Sequence, residues 1–240
     1  MSPPSAVLLA SLVLVAACST ASEQTANEAP AEARAGATEL IDVSTVAPSI
    51  RTDIRYAGPD NFVGEPVDGY AAPKCLLSWE AATGLARVQA DLEENGLSLL
   101  VFDCFRPQRA VDHFVRWAGD TTDLQTKAEY YPGVDKARLF EEGYIAERSG
   151  HSRASTVDLT VGRLAEDGSV RALDMGTPFD FFDPLSHTES PHVTPQQLAN
   201  RLLLRAAMER RGFRNYASEW WHYTLRDEPF PEDYFDREIR

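Results

Sequence analysis

Residues 19–38 (STASEQTANEAPAEARAGAT) contain no large apolar side chain. A stretch of that composition buries too little surface to offset the entropy of ordering its backbone. It is therefore expected to be a flexible tether, running from position 18 to position 38, and to confine the fold to the residues after it. Large apolar residues resume at Leu40-Ile41, and no second gap of this kind interrupts the chain before Arg240. The expectation is one domain over residues 39–240, long enough for a single sizeable core.

Ahead of the tether, residues 6–17 (AVLLASLVLVAA) form an apolar run. It is too short to cross about 30 Å of hydrocarbon as a helix but suits the apolar core of a signal peptide, expected over residues 1–17. The run ends in Val15-Ala16-Ala17-Cys18. Small residues before a cysteine resemble a bacterial lipobox, in which Cys18 would be lipidated. The leading MSPPS carries no Lys or Arg, a departure from that pattern, and an ordinary secretory signal is the alternative. Either implies export to the periplasm. Ser19 is not the Asp that commonly retains lipoproteins at the inner membrane, so an outer-membrane anchor is favoured.

The charge balance narrows the partners. With 23 Lys+Arg against 37 Asp+Glu the net charge is -14. That excludes the basic face a nucleic-acid binder needs and disfavours docking on anionic lipid. Membrane contact is expected only through the lipid anchor. Nothing in the sequence sets the oligomeric state. Beyond Cys18 only Cys75 and Cys104 remain. In an exported protein two such cysteines are most simply a disulfide, with two free buried thiols as the alternative; no C-x-x-C spacing supports metal ligation by the pair.

Hydropathy periodicity gives the elements. Leu77, Ala81, Leu85, Val88 and Leu92 repeat at helical spacing over residues 77–95, with Gly96 as a stop. Residues 97–102 (LSLLVF) read as a buried strand, and residues 108–117 as a helix with Ala110, Val111, Phe114 and Trp117 on one face. Residues 157–161 (VDLTV) alternate as a half-buried strand. Thr194-Pro195 opens a helix as N-cap and first-turn proline, running to Gly212. Residues 213–216 and 220–225 are two further strand candidates. Helices and strands mix without a βαβ rhythm, so the fold class is α+β.

Two short stretches carry the chemistry. In Ser149-Gly150-His151-Ser152-Arg153-Ala154-Ser155-Thr156-Val157-Asp158 the His and the Asp are seven residues apart. In an unbroken strand that odd separation would put them on opposite faces. They converge only if the chain turns within Ser152–Thr156. In Glu219-Trp220-Trp221-His222 a second His follows a carboxylate by three residues. Two imidazoles and a carboxylate suit a catalytic zinc that keeps one position open, and hydrolysis needs a base that is not itself a ligand; Glu219 is the candidate. On spacing alone both patterns also arise by chance, and His222 beside two tryptophans also reads as a satisfied core imidazole. Arg106, in Asp103-Cys104-Phe105-Arg106-Pro107, reads equally as a fixed ion-pair partner or as a cation for an oxyanion.

Six segments, taken in order, resemble the VanX-type zinc D-alanyl-D-alanine dipeptidases, relatives of the D-Ala-D-Ala carboxypeptidases and of the Hedgehog signalling fold. They are Asp60–Tyr70 (DNFVGEPVDGY), Phe105–Val111 (FRPQRAV), Tyr130–Pro132 (YYP), Ser149–Thr160 (SGHSRASTVDLT), Met175–Asp183 (MGTPFDFFD) and Glu219–Pro229 (EWWHYTLRDEP). The resemblance covers about residues 53–236. It implies a small central antiparallel sheet flanked by helices. It also implies one zinc per chain on His151, Asp158 and His222, with Glu219 as base and proton shuttle and Arg106 as oxyanion stabiliser. Asp180 would hold the substrate's ammonium, with Tyr56 and Ser149 near the bound dipeptide.

Two departures from the family stand out. Ala154 occupies the usual glycine of Ser-Arg-Gly-Ser, which would be strained were its φ positive. Cys104 has no counterpart in cytosolic relatives, and a bond to Cys75 would pin the strand presenting Arg106.

The expected activity is hydrolysis of the small dipeptide D-alanyl-D-alanine to two D-alanines, as salvage of peptidoglycan-derived dipeptide outside the inner membrane. A zinc D,D-carboxypeptidase or L,D-endopeptidase acting on stem peptides is the alternative, as is a non-catalytic wall-peptide-binding lipoprotein. The chain has no G-x-S-x-G, no H-E-x-x-H and no P-loop.

Overall fold

The computed structural model describes residues 39–240, together with Met1. The rest of the expected signal peptide, Cys18 and the tether lie outside the described residues. The elements are β1 (Ile41–Asp42), α1 (Val43–Val46), β2 (Arg51–Thr52), β3 (Leu76–Leu77), α2 (Trp79–Glu93), β4 (Leu97–Asp103), α3 (Gln108–Gly119), α4 (Lys127–Tyr130), β5 (Thr156–Leu164), β6 (Val170–Ala172), α5 (Pro195–Arg210), β7 (Phe213–Asn215) and β8 (His222–Leu225). This is a mixed α+β domain.

Local chemistry sets most boundaries. The Ser78 hydroxyl accepts from the Ala81 amide and so starts α2 two residues later than the apolar spacing suggests, leaving Leu77 to β3. Gly96, with φ of 67°, turns the chain into β4. In α5 the Thr194 cap is reinforced by Gln197, whose side chain returns to the Thr194 amide in a capping box. The last two strands are shorter than the sequence suggests. Trp220 and Trp221 lie in the turn between β7 and β8, where the Glu219 amide donates to the Tyr216 carbonyl and the Tyr216 amide to the His222 carbonyl.

The sheet runs β2-β4-β5-β8-β7, with β6 also on β5, and every pairing is antiparallel except the two-residue edge strand β2 beside β4. A second, two-stranded sheet pairs β1 with β3. Register decides which side chains share a face. Leu99 lies opposite Val161, Val101 opposite Leu159 and Tyr223 opposite Val157, all fully buried, making an apolar face. On this side α2 packs on β4 and α5 on β7. Asp158 lies opposite His222 and Thr156 opposite Thr224 on the other face, which is where the polar chemistry collects.

A register shift in β4 between Val101 and Asp103 changes what meets Asp158. Unbroken pairing would set Phe102 opposite it; the bulge sets Asp103 there instead. Beyond this face an aromatic cluster of Tyr56, Phe62, Phe114, Trp117 and Phe182 connects α3 to the loops. Cys75 and Cys104 are joined by a disulfide between the approach to β3 and the end of β4.

Candidate metal centre and active site

His151 and Asp158 converge because the chain turns between them. Residues Gly150–Arg153 form a 3-10 turn capped by the Ser149 hydroxyl, which accepts from the His151 amide at 3.3 Å. The turn is closed by Ala154 in the left-handed region, φ 59° and ψ 25°. A helical turn followed by one left-handed residue reverses the side-chain direction that a continuous strand would impose. His151 and Asp158 thus reach the same face, and strand pairing brings His222 beside them.

The ligand atoms can be named. His151 is fully buried, and its Nδ1 lies 2.6 Å from the Cys104 carbonyl. A carbonyl only accepts, so Nδ1 carries the proton and Nε2 presents its lone pair to the cluster. Nε2 is 3.4 Å from His222 Nδ1 and 3.2 Å from Asp158 Oδ2, while His222 Nδ1 is 3.0 Å from Asp158 Oδ1. Asp158 Oδ1 is buried and makes no hydrogen bond despite that proximity. One atom from each of the three side chains is thus gathered around a common point. Ligands at about 2.0–2.1 Å from a tetrahedral ion stand about 3.3 Å apart; the two imidazole nitrogens, 3.4 Å apart, match that spacing, and each has one oxygen of the Asp158 carboxylate at 3.0 or 3.2 Å. The donor set fits a zinc-like divalent cation.

Around this point the charges are unbalanced. A pocket of about 260 Å³ is lined by Asp158, Asp180 and Glu219, with the half-buried Arg106 facing them and the exposed Arg148 at the edge. Arg106 is already engaged: its Nε and Nη2 lie 3.0 and 2.9 Å from Asp103 Oδ2, and Nη2 is 3.5 Å from Asp158 Oδ2. Its guanidinium also stacks over Tyr56 and Phe114, at 5.0 and 5.1 Å. Arg106 is therefore an ion-pair partner of Asp103 and also lines the pocket. Burial raises the Glu219 carboxyl, with the Asp158 charge adding to it against His222 and Arg106. Burial and Asp158 also push the Asp180 carboxyl well above the usual range, although it accepts from the Tyr56 hydroxyl at 2.7 Å. Carboxylates so placed are stabilised by cations brought to them.

Every candidate residue is thus gathered at one pocket: His151 and Asp158 by the 149–158 turn and strand, His222 and Glu219 by the β7–β8 hairpin, and Arg106 by the end of β4. Tyr56 comes from a 3-10 turn at Arg55–Ala57, Ser149 from the cap of the ligand turn and Asp180 from a loop. Glu219 Oε2 is 3.5 Å from His222 Nδ1, on the cluster's pocket side. Sequence reasoning gives Asp103 only as an ion-pair partner for Arg106, and it misses the Cys104 carbonyl and two tyrosines. Asp103 is fully buried, hydrogen-bonded by the Tyr70 hydroxyl at 2.6 Å and aligned with Asp158 only through the bulge. The Cys104 carbonyl, which orients His151, leaves no trace in a side-chain pattern. Tyr216 and Tyr144 wall the pocket mouth; neither stands in a motif that points to it.

Known proteins bear on what such a pocket does. A family model described as D-ala-D-ala dipeptidase (Peptidase_M15) matches residues 36–239. A D-alanyl-D-alanine dipeptidase of Streptomyces coelicolor is 46% identical over 194 residues, which is 81% of this chain and 95% of that protein. One of Enterococcus faecium is 41% identical over 80% of this chain and 93% of its own, and one of Escherichia coli is 35% identical over 78% and 85%.

Proposed function

This chain belongs to the D-ala-D-ala dipeptidase family of metallopeptidases, and from that membership we propose that it hydrolyses D-alanyl-D-alanine to two D-alanines with one zinc ion per chain. The observation that carries the proposal is the charge balance of the pocket: the carboxylates of Asp180 and Glu219 beside a His-Asp-His donor set, with the Arg106 guanidinium already paired to Asp103. Such a site is completed by a divalent cation and by a substrate that brings its own ammonium.

His151, Asp158 and His222 would hold the zinc, which supplies Lewis-acid polarisation of the scissile carbonyl and acidifies water. The Glu219 carboxylate, next to the cluster and outside the ligand set, takes the proton from the attacking water and delivers it to the departing amine. Arg106 faces the pocket with a permanent charge and donates to the oxygen that becomes negative in the tetrahedral transition state. Asp180 and the Tyr56 hydroxyl receive the ammonium. Ser149, held as the cap of the ligand turn, stands at the pocket edge within reach of the dipeptide. A peptide extended at its amino end would leave the buried Asp180 without a cation to meet its charge, which is a strong penalty.

Export through the residue 1–17 segment and anchoring through Cys18 are supported by the apolar run before that cysteine. The Cys75–Cys104 disulfide, which suits an oxidising compartment, also supports export. The substrate is then dipeptide released from peptidoglycan outside the inner membrane. The test is D-alanine release by the zinc-loaded protein from D-Ala-D-Ala and from a longer peptide ending in D-Ala-D-Ala. Turnover of the dipeptide alone is expected. Cleavage of only the longer peptide would make the protein a carboxypeptidase, and zinc binding without cleavage of either would make it a wall-peptide binder.

A further inference from the structure

Asp180 sits in an irregular segment that has to be held in place by something other than a strand or helix. Between β6 and α5 the only regular element is a 3-10 turn at Pro184–Ser186. Asp180 itself takes φ of 58°, a conformation that L residues other than glycine adopt rarely, and it is buried. A strained, buried carboxylate persists only where its surroundings over-determine it.

Those surroundings converge on one side chain of α5. Arg201 is fully buried, and its hydrogen bonds go to carbonyls rather than to a carboxylate: Nε donates to Met175 at 2.6 Å, and Nη1 to Leu185 at 2.9 Å and His187 at 2.6 Å. Its Nη2 is buried without an acceptor. Burial pulls the guanidinium down to about 10, still cationic at neutral pH. A buried cation held in this way is an expensive device for packing alone. Its acceptors lie on both sides of Asp180, so the guanidinium fork ties the two ends of the loop together across α5.

The neighbouring turn of α5 adds to the grip. Asn200 Nδ2 donates to the Asp174 carbonyl at 2.8 Å, and Gln197 Nε2 to the Asp174 carboxylate at 2.9 Å. From the catalytic side, the Trp220 indole donates to Thr177 Oγ1 at 2.8 Å, and the Trp220 amide to the Ser186 carbonyl at 3.1 Å. The loop is thereby fastened to the same hairpin that presents Glu219 and His222.

We propose that Arg201 is a positioning residue for recognition of the substrate's free ammonium: its guanidinium clamps residues 175–187 so that Asp180 keeps its left-handed conformation toward Tyr56 and the pocket. This rests on Asp180 as the ammonium acceptor and assigns the residue that aims it.

The test uses the zinc-loaded protein and three variants, Arg201→Lys, Gln197→Ala and Asp180→Asn. The measurements are kcat and KM on D-Ala-D-Ala and the inhibition constant of N-acetyl-D-Ala-D-Ala, which lacks the ammonium, with zinc content and Tm alongside. Arg201→Lys keeps the charge but loses the fork. It is expected to raise KM about tenfold, the scale of one charge-assisted hydrogen bond, with kcat within about threefold. It should also narrow the preference for the free over the acetylated dipeptide by about the same factor. Gln197→Ala, on the exposed rim of the clamp, should move both in the same direction by about threefold, and it decides the matter if Arg201→Lys does not fold. A lower Tm with unchanged KM and unchanged preference in these two variants would overturn the proposal and leave Arg201 merely structural. If Asp180→Asn itself leaves the preference untouched, the ammonium reading fails; if Asp180→Asn abolishes it while the clamp variants retain it, the clamp alone fails.

Discussion

The two halves of the pocket are built in different ways. The metal half stands on paired strands: Asp158 and His222 are register partners, and the 149–154 turn adds His151. Its geometry is set by ladder hydrogen bonds and by side chains whose spacing is fixed by the pleat. The half proposed to recognise the substrate's ammonium, with Asp180, stands on a loop whose shape is imposed from outside, by Arg201, Asn200 and Trp220. The metal half can be rigid because every substrate of this chemistry presents the same amide. The recognition half has to discriminate, and a loop can be adjusted without touching the strands that hold the metal.

The difference predicts that damage to each half reads out in a different kinetic constant. Glu219→Gln removes the proton acceptor but keeps size and hydrogen bonding. Its kcat on D-Ala-D-Ala should fall by about 10²- to 10⁴-fold with zinc content and KM little changed. A fall below tenfold in steady-state assays would assign the base elsewhere. Asp180→Asn is the matching experiment on the other half. Asparagine tolerates the left-handed region at least as well as aspartate, so the backbone is kept while the charge is lost. KM should rise about 10- to 100-fold, kcat should fall less, and zinc content should hold. If the two variants show the same kinetic signature, the division of labour between strand and loop is wrong.

The same division explains what can be read from the sequence. The strand-borne half is legible because its signals are local: an apolar-polar alternation at residues 157–161, a His before it, a carboxylate three residues ahead of a second His. Even the turn between His151 and Asp158 is required by parity. What escapes is whatever depends on register or on the main chain. The bulge that exchanges Phe102 for Asp103 opposite Asp158 has no sequence mark, and neither does a carbonyl that orients an imidazole. The Trp220-Trp221 pair reads as strand because aromatic residues favour strands; the hairpin uses it as a turn, with Trp220 anchoring the recognition loop. Arg201 looks like one more charge on an amphipathic helix, and only the packed structure reveals that it is buried against a loop.

The disulfide lies at the junction of local and long-range control. Cys104 supplies the carbonyl that fixes the His151 tautomer, and its side chain is tied to Cys75, 29 residues earlier. Replacing both cysteines with serine should remove about 3 kcal/mol of stability for a loop of that length. If the bond also steadies the carbonyl, zinc affinity should fall about tenfold, within the range seen for groups that orient a metal ligand. Chelator competition measures the affinity and denaturant unfolding the stability. Lower stability with unchanged affinity would confine the disulfide to the scaffold and leave the metal half independent of it.

The smallest effect is expected at Ala154, where the family's glycine is absent although the backbone is left-handed, with φ of 59°. The strain costs about 1–2 kcal/mol for an L residue, yet the position is held from both sides. The Ala154 amide donates to the His151 carbonyl, and the Ala154 carbonyl accepts from the Ser78 amide at 2.7 Å, where α2 begins. Its methyl group is fully buried and contributes about 0.8 kcal/mol, and alanine also has less freedom than glycine to lose on folding. Ala154→Gly relieves the strain and forfeits both gains, so its stability should lie within about 1 kcal/mol of the wild type, with zinc affinity unchanged. Ala154→Val keeps the strain and adds a β-branch that the left-handed region rejects, so it should lose more than about 2 kcal/mol and release zinc more readily. Were valine tolerated as well as glycine, the turn would not be what aims His151, and the metal half would owe its geometry to the β5–β8 pairing alone.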